Sequence, residues 1–266
     1  MTIDDSLGRR LRDLDLSLFA GIPSQSLSGD RRSWLAVQRS VRSSAGYVYL
    51  EIGSHLGGSV QQHLVDPWCR RIISIDKRPL SQPDDRGEAC PYEGNSTARM
   101  MDNLRAIAPD QLPKVTCHDS DARDVNPEAI GSDRPDFCFI DGEHTHAAVL
   151  SDFEFCLRVC APNAAICFHD DYITFRALET ILASLRRRRI PFNARKLDEL
   201  TFGIFLRDCS AVNDPYIRQC SRDGARWLRG RRFRTLIPGS IRPYARNLAR
   251  SVRRTLKVHL KSARLF

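Results

Sequence analysis

The chain has 266 residues, 42% of them hydrophobic, and a net charge of +9. That is enough apolar material for one sizeable core, and no apolar run is long enough to span a bilayer. Met1-Thr2-Ile3-Asp4-Asp5 places acids where a secretory leader needs a basic region and then an apolar one, so a cytoplasmic location is expected.

Nine cysteines without a C-x-x-C pair argue for a reducing compartment and against a disulfide framework or a zinc site. The charge is unevenly spread. From Ser221 to Phe266 there are 14 Lys and Arg against one acid, Asp223, which is +13 and leaves −4 for residues 1–220. A mildly acidic body with a basic tail is the expectation.

In chain order, residues 1–28 read as an N-terminal extension with a short amphipathic stretch (Leu7, Leu11, Leu14, Leu18). A helix is predicted over 30–43 with Trp34, Leu35, Val37 and Val41 on its inner face, then a strand over 47–52, a helix over 59–65 and a strand over 71–76. Residues 77–94 hold prolines, glycines and charges and read as a long loop covering a binding site. Asn95 or Ser96 caps the next helix, which carries Met100, Met101, Leu104 and Ile107. Strands over 114–117, 136–140 and 164–168 alternate with helices built on Val149, Leu150 and Phe153, and on Phe175, Leu178 and Ile181. Two closing strands follow over 191–196 and 201–206. The alternation predicts an α/β, Rossmann-like, doubly wound and mostly parallel sheet of seven strands with helices on both faces. It spans residues 29–208, and 209–266 follow as a basic tail. From Ser240, Ile241, Leu248, Val252, Leu256 and Leu260 recur at helical spacing among arginines and lysines. Such a helix suits an anionic membrane surface, a nucleic acid, or simple packing on the body.

Tyr47-Val48-Tyr49-Leu50-Glu51-Ile52-Gly53 runs into a glycine turn, and the next strand ends at Asp76. A glycine turn after one strand with an acid closing the next is how an open α/β sheet holds a nucleoside. No G-x-G-x-x-G is present, and Glu51 stands two residues before the first glycine. A pyrophosphate would be repelled there, whereas a sulfonium or ammonium would be attracted, so S-adenosylmethionine is favoured over NAD. The bland alternative is a glycine loop that only connects. Glu51–Gly53, Asp76, Asp119, Asp141 and Asp170-Asp171 all fall at or just past predicted strand ends, the edge where ligands bind.

Glu51-Ile52-Gly53-Ser54-x-x-Gly57-Gly58-Ser59, Ser74-Ile75-Asp76, Phe139-Ile140-Asp141-Gly142-Glu143-His144 and Phe168-His169-Asp170-Asp171-Tyr172 stand in that order. Together they resemble the class I S-adenosylmethionine-dependent methyltransferases over residues 30–207. More narrowly they are similar to the sugar and macrolide-sugar O-methyltransferases, the cephalosporin hydroxylase proteins and, further off, catechol O-methyltransferase. The resemblance implies that Glu51, Gly53 and Ser54, with Gly57 and Ser59, line the methionine end of the cofactor. It puts Asp76 on the ribose, Asp119 and Ser120 beside the adenine, Asp141 at both cofactor and metal, and Asp170 and Asp171 on a divalent cation such as Mg²⁺. His144 becomes the general base that takes the proton of a sugar or glycan hydroxyl. His146 and His169 are weaker base candidates, Asp121 competes with Asp119, and Asp170 or Asp171 could instead cap a helix. A nucleic-acid methyltransferase is the alternative that the tail favours, although no [DN]-P-P-[YFW] run is present. An NAD oxidoreductase and a scaffold without turnover are further alternatives. The acceptor is a small molecule or glycan by this reading. Peripheral membrane contact through 240–266 is expected, and the oligomeric state is left open.

Overall fold

The protein is described by a computed structural model over residues 3–236. Its strands are β1 Tyr47–Ile52, β2 Cys69–Ile75, β3 Ser81–Pro83, β4 Ala89–Pro91, β5 Val115–His118, β6 Phe137–Ile140, β7 Ala165–Phe168, β8 Phe192–Lys196, β9 Phe202–Leu206 and β10 Arg222–Asp223. Its helices are α1 Ile3–Arg12, α2 Ser28–Val41, α3 Gln61–Leu64, α4 Thr97–Ile107, α5 His146–Val159, α6 Asp171–Arg187, α7 Pro215–Cys220 and α8 Gly224–Leu236. Eight strands form one sheet in the order β10-β8-β9-β7-β6-β1-β2-β5. The β5, β2, β1, β6 and β7 neighbours pair in parallel, while β9 runs antiparallel to both β7 and β8. All six residues of β1 are buried, and so are all four of β6 and of β7. Strands covered on both faces read as unbroken apolar runs, which is why they could be placed from sequence.

The sheet has one strand more than expected. The addition is the two-residue β10, antiparallel to β8 at Lys196 and Arg195, too short to carry a periodic signal. Other departures are local. The helix expected over 59–65 is a single turn, because Val60 through Asp66 are tied by short-range backbone bonds and Pro67 follows. The expected loop 77–94 contains the β3–β4 ribbon, which a proline in each strand concealed.

The residues expected as an N-terminal extension supply core. Leu7, Leu11, Leu18, Phe19 and Ile22 are buried in the same cluster as Trp34, Leu35, Val37, Tyr49 and Phe139. α7 is tied to α2 by a two-pronged pair, Arg39 to Asp214, at 2.6 and 2.8 Å. One compact unit runs Met1–Trp227 and a second Leu228–Phe266. The basic amphipathic helix expected from Ser240 lies outside the described residues. No helix among the described residues is long and apolar enough to cross a membrane.

Candidate active site

The carboxyl ends of β1, β2, β5, β6 and β7 lie along one edge, and the acids named from sequence follow them. Gly53 leaves β1 at φ +91°, and a Cβ there would stand 2.3 Å from the Asp141 carbonyl oxygen. Only glycine lets the β1 turn pass that close to the end of β6. Glu51 is fully buried and does not face a cavity. It accepts hydrogen bonds from the Tyr49 hydroxyl at 2.8 Å and from Ser59. Burial pushes its carboxyl up to about 8, against the pull of those two donors. Ser54 pairs with Ser74 at 2.5 Å, and Gly57 packs on Met100 and Leu104 of α4. Glu51, Ser54, Gly57 and Ser59 thus build the turn from inside.

Asp76 closes β2. Its carboxylate accepts the His55 backbone N–H at 2.8 Å and the Arg78 backbone N–H at 2.7 Å. The Arg78 guanidinium, nearly buried, reaches Asp76, the His55 carbonyl, Asn95, Thr97 and Asp119. Three non-glycine residues along this edge hold left-handed backbones: His55 (φ 45°), Arg78 (φ 51°) and Asp170 (φ 49°). Strain of that kind concentrates at functional sites.

A small cavity of about 20 Å³ lies beside Asp76, lined by Gly53, Gln82, Ser120, Asp121, Gly142 and Asp152 among others. Asp119 is not part of that lining. Thr97 and Arg78 draw it aside and leave it half exposed. Asp121, the competing acid, lines the cavity in its place. The space admits about one water, so a nucleoside enters only if its cover moves. The cover is the 77–94 segment. Lys77 Nζ spans to Glu143 at 2.5 Å, Asp84 bridges to the backbone of His144, and Asp85 accepts the His146 N–H at 3.0 Å. A larger, shallow hollow of about 540 Å³ lies by Arg186, Pro191 and Phe192 and includes none of the sheet-edge acids between Glu51 and Asp171. The sheet-edge acids converge at the smaller cavity.

Beyond it, Asp141, His144 and Asp170 each bring one ligand atom within 4.8 Å of the others. His144 Nε2 is 3.5 Å from Asp141 and 3.7 Å from Asp170. His169 Nδ1 faces the same two carboxylates at 3.3 and 3.7 Å. Its Nε2 lies 3.4 Å from Asp30, a fully buried acid at the start of α2. Burial alone would lower both imidazoles. Asp141 and Asp170 outweigh it for His144 and raise it, and Asp141, Asp30 and Asp170 together hold His169 up to about 11. Asp170 stands at the N-cap position of α6 but its side chain makes no capping bond, which frees it for the cluster. Asp171 is the correction. It is turned into the protein against Lys196 at 2.9 Å, and burial pushes it up to about 6 despite that lysine. It does not share the cluster.

Sequence reasoning underweighted His169 and missed Asp30, Gln82 and Asp152. Asp30 and His169 are 139 positions apart, and no local pattern links them. Asp152 offered one clue, an acid on the apolar face of α5 between Val149 and Phe153.

Residues 50–171 match a family model described as a methyltransferase domain. No curated protein matches. Among solved structures, CalS11, a calicheamicin methyltransferase, is 15% identical over 76% of this chain and 91% of its own, with a TM-score of 0.52. An apo structure titled CalS11, TDP-rhamnose 3′-O-methyltransferase, is 15% identical over 76% of this chain and 93% of its own, with a TM-score of 0.50. TomG, an O-methyltransferase from Streptomyces achromogenes solved with S-adenosylmethionine, is 15% identical over 77% and 89%, with a TM-score of 0.47. The two CalS11 structures share the fold. The matched segment runs from the second half of β1 to the first residue of α6 and contains every acid of the sheet edge from Glu51 to Asp171. Over these residues the chain carries a methyltransferase domain.

Proposed function

We infer that the chain is an O-methyltransferase acting on a hydroxyl of a sugar, glycan or related small molecule. The observation that carries this reading is the convergence of the His144 Nε2 atom with Asp141 and Asp170 just beyond the Gly53–Asp76 edge. S-adenosylmethionine, when bound, supplies an electrophilic methyl group on a sulfonium. Asp76 has the position for the ribose hydroxyls, provided that Arg78 yields. Gly53 and Gly142 give the backbone approach that a nucleoside needs, and Ser120 and Asp121 border the base. His144 Nε2 is buried without a hydrogen bond of good geometry. That suits an atom that takes a proton from the acceptor hydroxyl as the O–CH₃ bond forms. Asp141 and Asp170 then stabilise the imidazolium.

The same two carboxylates fit a divalent cation. Hard oxygen donors suit Mg²⁺, which is commonly held by one or two carboxylates and otherwise by water and substrate. Asp141 and Asp170 would hold it, and it would supply Lewis-acid polarisation of the hydroxyl. His144 then stays free for the proton. The sugar assignment leans on the likeness to CalS11, a TDP-rhamnose 3′-O-methyltransferase.

His144→Ala tests the base. Turnover of a methyl acceptor should fall by about 10²- to 10⁴-fold, while calorimetric affinity for S-adenosylhomocysteine stays within a few-fold. Loss of that affinity would show that His144 holds the cofactor site instead. In the same assay, EDTA should suppress turnover and Mg²⁺ restore it. Full turnover in chelator would remove the cation from the reading.

A further inference from the structure

Lys196, the last residue of β8, is buried, and its ammonium faces four oxygens. It donates to the carbonyls of Leu197 at 3.1 Å, Glu199 at 2.5 Å and Thr201 at 3.3 Å. The fourth oxygen is Asp171 Oδ2 at 2.9 Å. An ammonium has three N–H groups. The three carbonyls take them, so Asp171 is held by charge without a hydrogen bond of good geometry. The Trp227 ring lies over the same ammonium at 5.6 Å and packs on Phe202 at 6.1 Å. Three carbonyls of the β8–β9 turn, residues 197–201, thus point at one atom. The turn is strained, with Glu199 in a left-handed backbone at φ 47°, and a cation at its centre offsets the crowding of carbonyl dipoles.

From this turn two routes lead to the Asp141, His144 and Asp170 cluster. Along the first, the Leu200 carbonyl accepts the Asp171 N–H at 3.1 Å. The first residue of α6 is therefore anchored to the turn by its backbone and to Lys196 by its side chain. Asp170 stands immediately before it, with a left-handed backbone at φ 49° and no capping bond, so the anchors on Asp171 fix where Asp170 points. Along the second, the Leu200 N–H and the Thr201 hydroxyl hold Asp30 at 2.8 and 2.9 Å, and Asp30 faces His169 Nε2 at 3.4 Å. One ammonium stands behind both Asp170 and His169, yet it is not a member of the cluster.

We propose that Lys196 is a positioning residue for the cation site. It ties the β8–β9 turn to the start of α6, so that Asp170 is presented to Asp141 and His144. The proposal rests on the reading above of Asp141 and Asp170 as the groups that hold a divalent cation. A buried ion pair is often no more stabilising than packed apolar side chains, and neutralising Asp171 would not need three carbonyls as well. The carbonyls make the ammonium a joint between two elements. Residues that orient a metal's ligands change its affinity by about 10- to 100-fold when they are removed.

The test is calorimetry on the full chain with Mg²⁺ alone and with S-adenosylhomocysteine alone, beside a thermal melt. Lys196→Met, of similar length and without N–H donors, should weaken Mg²⁺ binding by about 10- to 100-fold and leave affinity for S-adenosylhomocysteine within a few-fold. Lys196→Arg keeps a positive charge opposite Asp171 and guards against a methionine variant that fails to fold. Its planar fork cannot serve three carbonyls that converge on one atom, so it should still melt cooperatively and bind Mg²⁺ about tenfold more weakly. Wild-type Mg²⁺ affinity in Lys196→Arg would mean that only the charge beside Asp171 matters, and the proposal falls. A lowered melting temperature in both variants with Mg²⁺ affinity unchanged would make Lys196 a structural residue, and the proposal falls. Equal losses for Mg²⁺ and S-adenosylhomocysteine would show a general loosening of the fold and overturn it too. If the wild type binds S-adenosylhomocysteine and no Mg²⁺, the cation reading fails and takes this proposal with it, while the cofactor reading stands.

Discussion

Asp152 shows how a single buried acid in the cavity lining bears on stability. Its removal from water pushes the carboxyl up to about 7, with Asp121 and Glu143 adding to the rise and Lys77 and Arg123 opposing it. The unfolded chain releases the same proton near pH 4. Between about pH 4 and pH 7 the folded state therefore binds one more proton than the unfolded state, and stability falls as pH rises through that window. Above about pH 7 the penalty is complete, with an upper bound of about 4 kcal/mol at 1.36 kcal/mol per pKa unit. Asp152→Asn, neutral at every pH, should raise the melting temperature by several degrees at pH 7.5 and by clearly less at pH 4.5. Equal increments at the two pH values would mean that burial does not raise the Asp152 carboxyl above its ordinary range. The same logic separates Asp171 from the cluster: the acid that the motif suggested as a ligand has its charge answered by Lys196, and no second carboxylate from the 170–171 pair is left to face a cation.

At the level of elements, the strands and the acids behind them were legible, and the cover was not. β1, β6 and β7 are apolar throughout because both faces are covered, and a strand end at such an edge is where Asp76, Asp141 and Asp170 had to fall. The ribbon was illegible because its strands are three residues long with a proline in each. Its anchors are side chains reaching other elements: Lys77 to Glu143, Asp85 to the first turn of α5, and Arg86 over the Tyr172 ring at 5.7 Å. Asp119 was misplaced for a related reason, since Thr97 and Arg78 decide its direction and neither is its sequence neighbour. If the ribbon is a strap over the cavity, its weakest anchor sets its opening. Asp85→Ala removes an acceptor from the α5 N-terminus, worth about 1 kcal/mol as a helix cap. Trypsin should then cut within 77–94 about five-fold faster, and saturating S-adenosylhomocysteine should slow the cut in wild type. An unchanged rate in the variant would mean that the segment is held by its other anchors, the Lys77 pair among them.

Across the whole molecule, the matched 50–171 segment is not a self-sufficient site. The imidazole of His169 is oriented by Asp30 from α2, and Asp30 is in turn held by the Leu200 N–H at 2.8 Å and the Thr201 hydroxyl at 2.9 Å. The Trp34 indole, which donates to Thr201 at 3.1 Å, packs on Phe139 at 4.7 Å and edge-on to His169 at 5.6 Å. Helix α2 is thus both a wall of the core and the back support of the site. With α1 and the turn before α2, it buries Leu7, Leu11, Leu18, Phe19, Ile22, Trp34, Leu35 and Val37 against the sheet. At about 1.5–3 kcal/mol for each fully buried large side chain, those eight are worth about 12–24 kcal/mol, as much as or more than the roughly 5–15 kcal/mol by which a domain is stable. A chain that starts at residue 45, with α1 and α2 removed and the whole matched segment kept, should therefore lose its cooperative thermal transition and bind a hydrophobic dye such as ANS at 25 °C, where the full chain melts sharply and does not. A cooperative melt of the shortened chain within a few degrees of the full one would mean that the sheet and its other helices close the core unaided. His169 would then keep its place without Asp30, and the N-terminal helices would be an appendage after all.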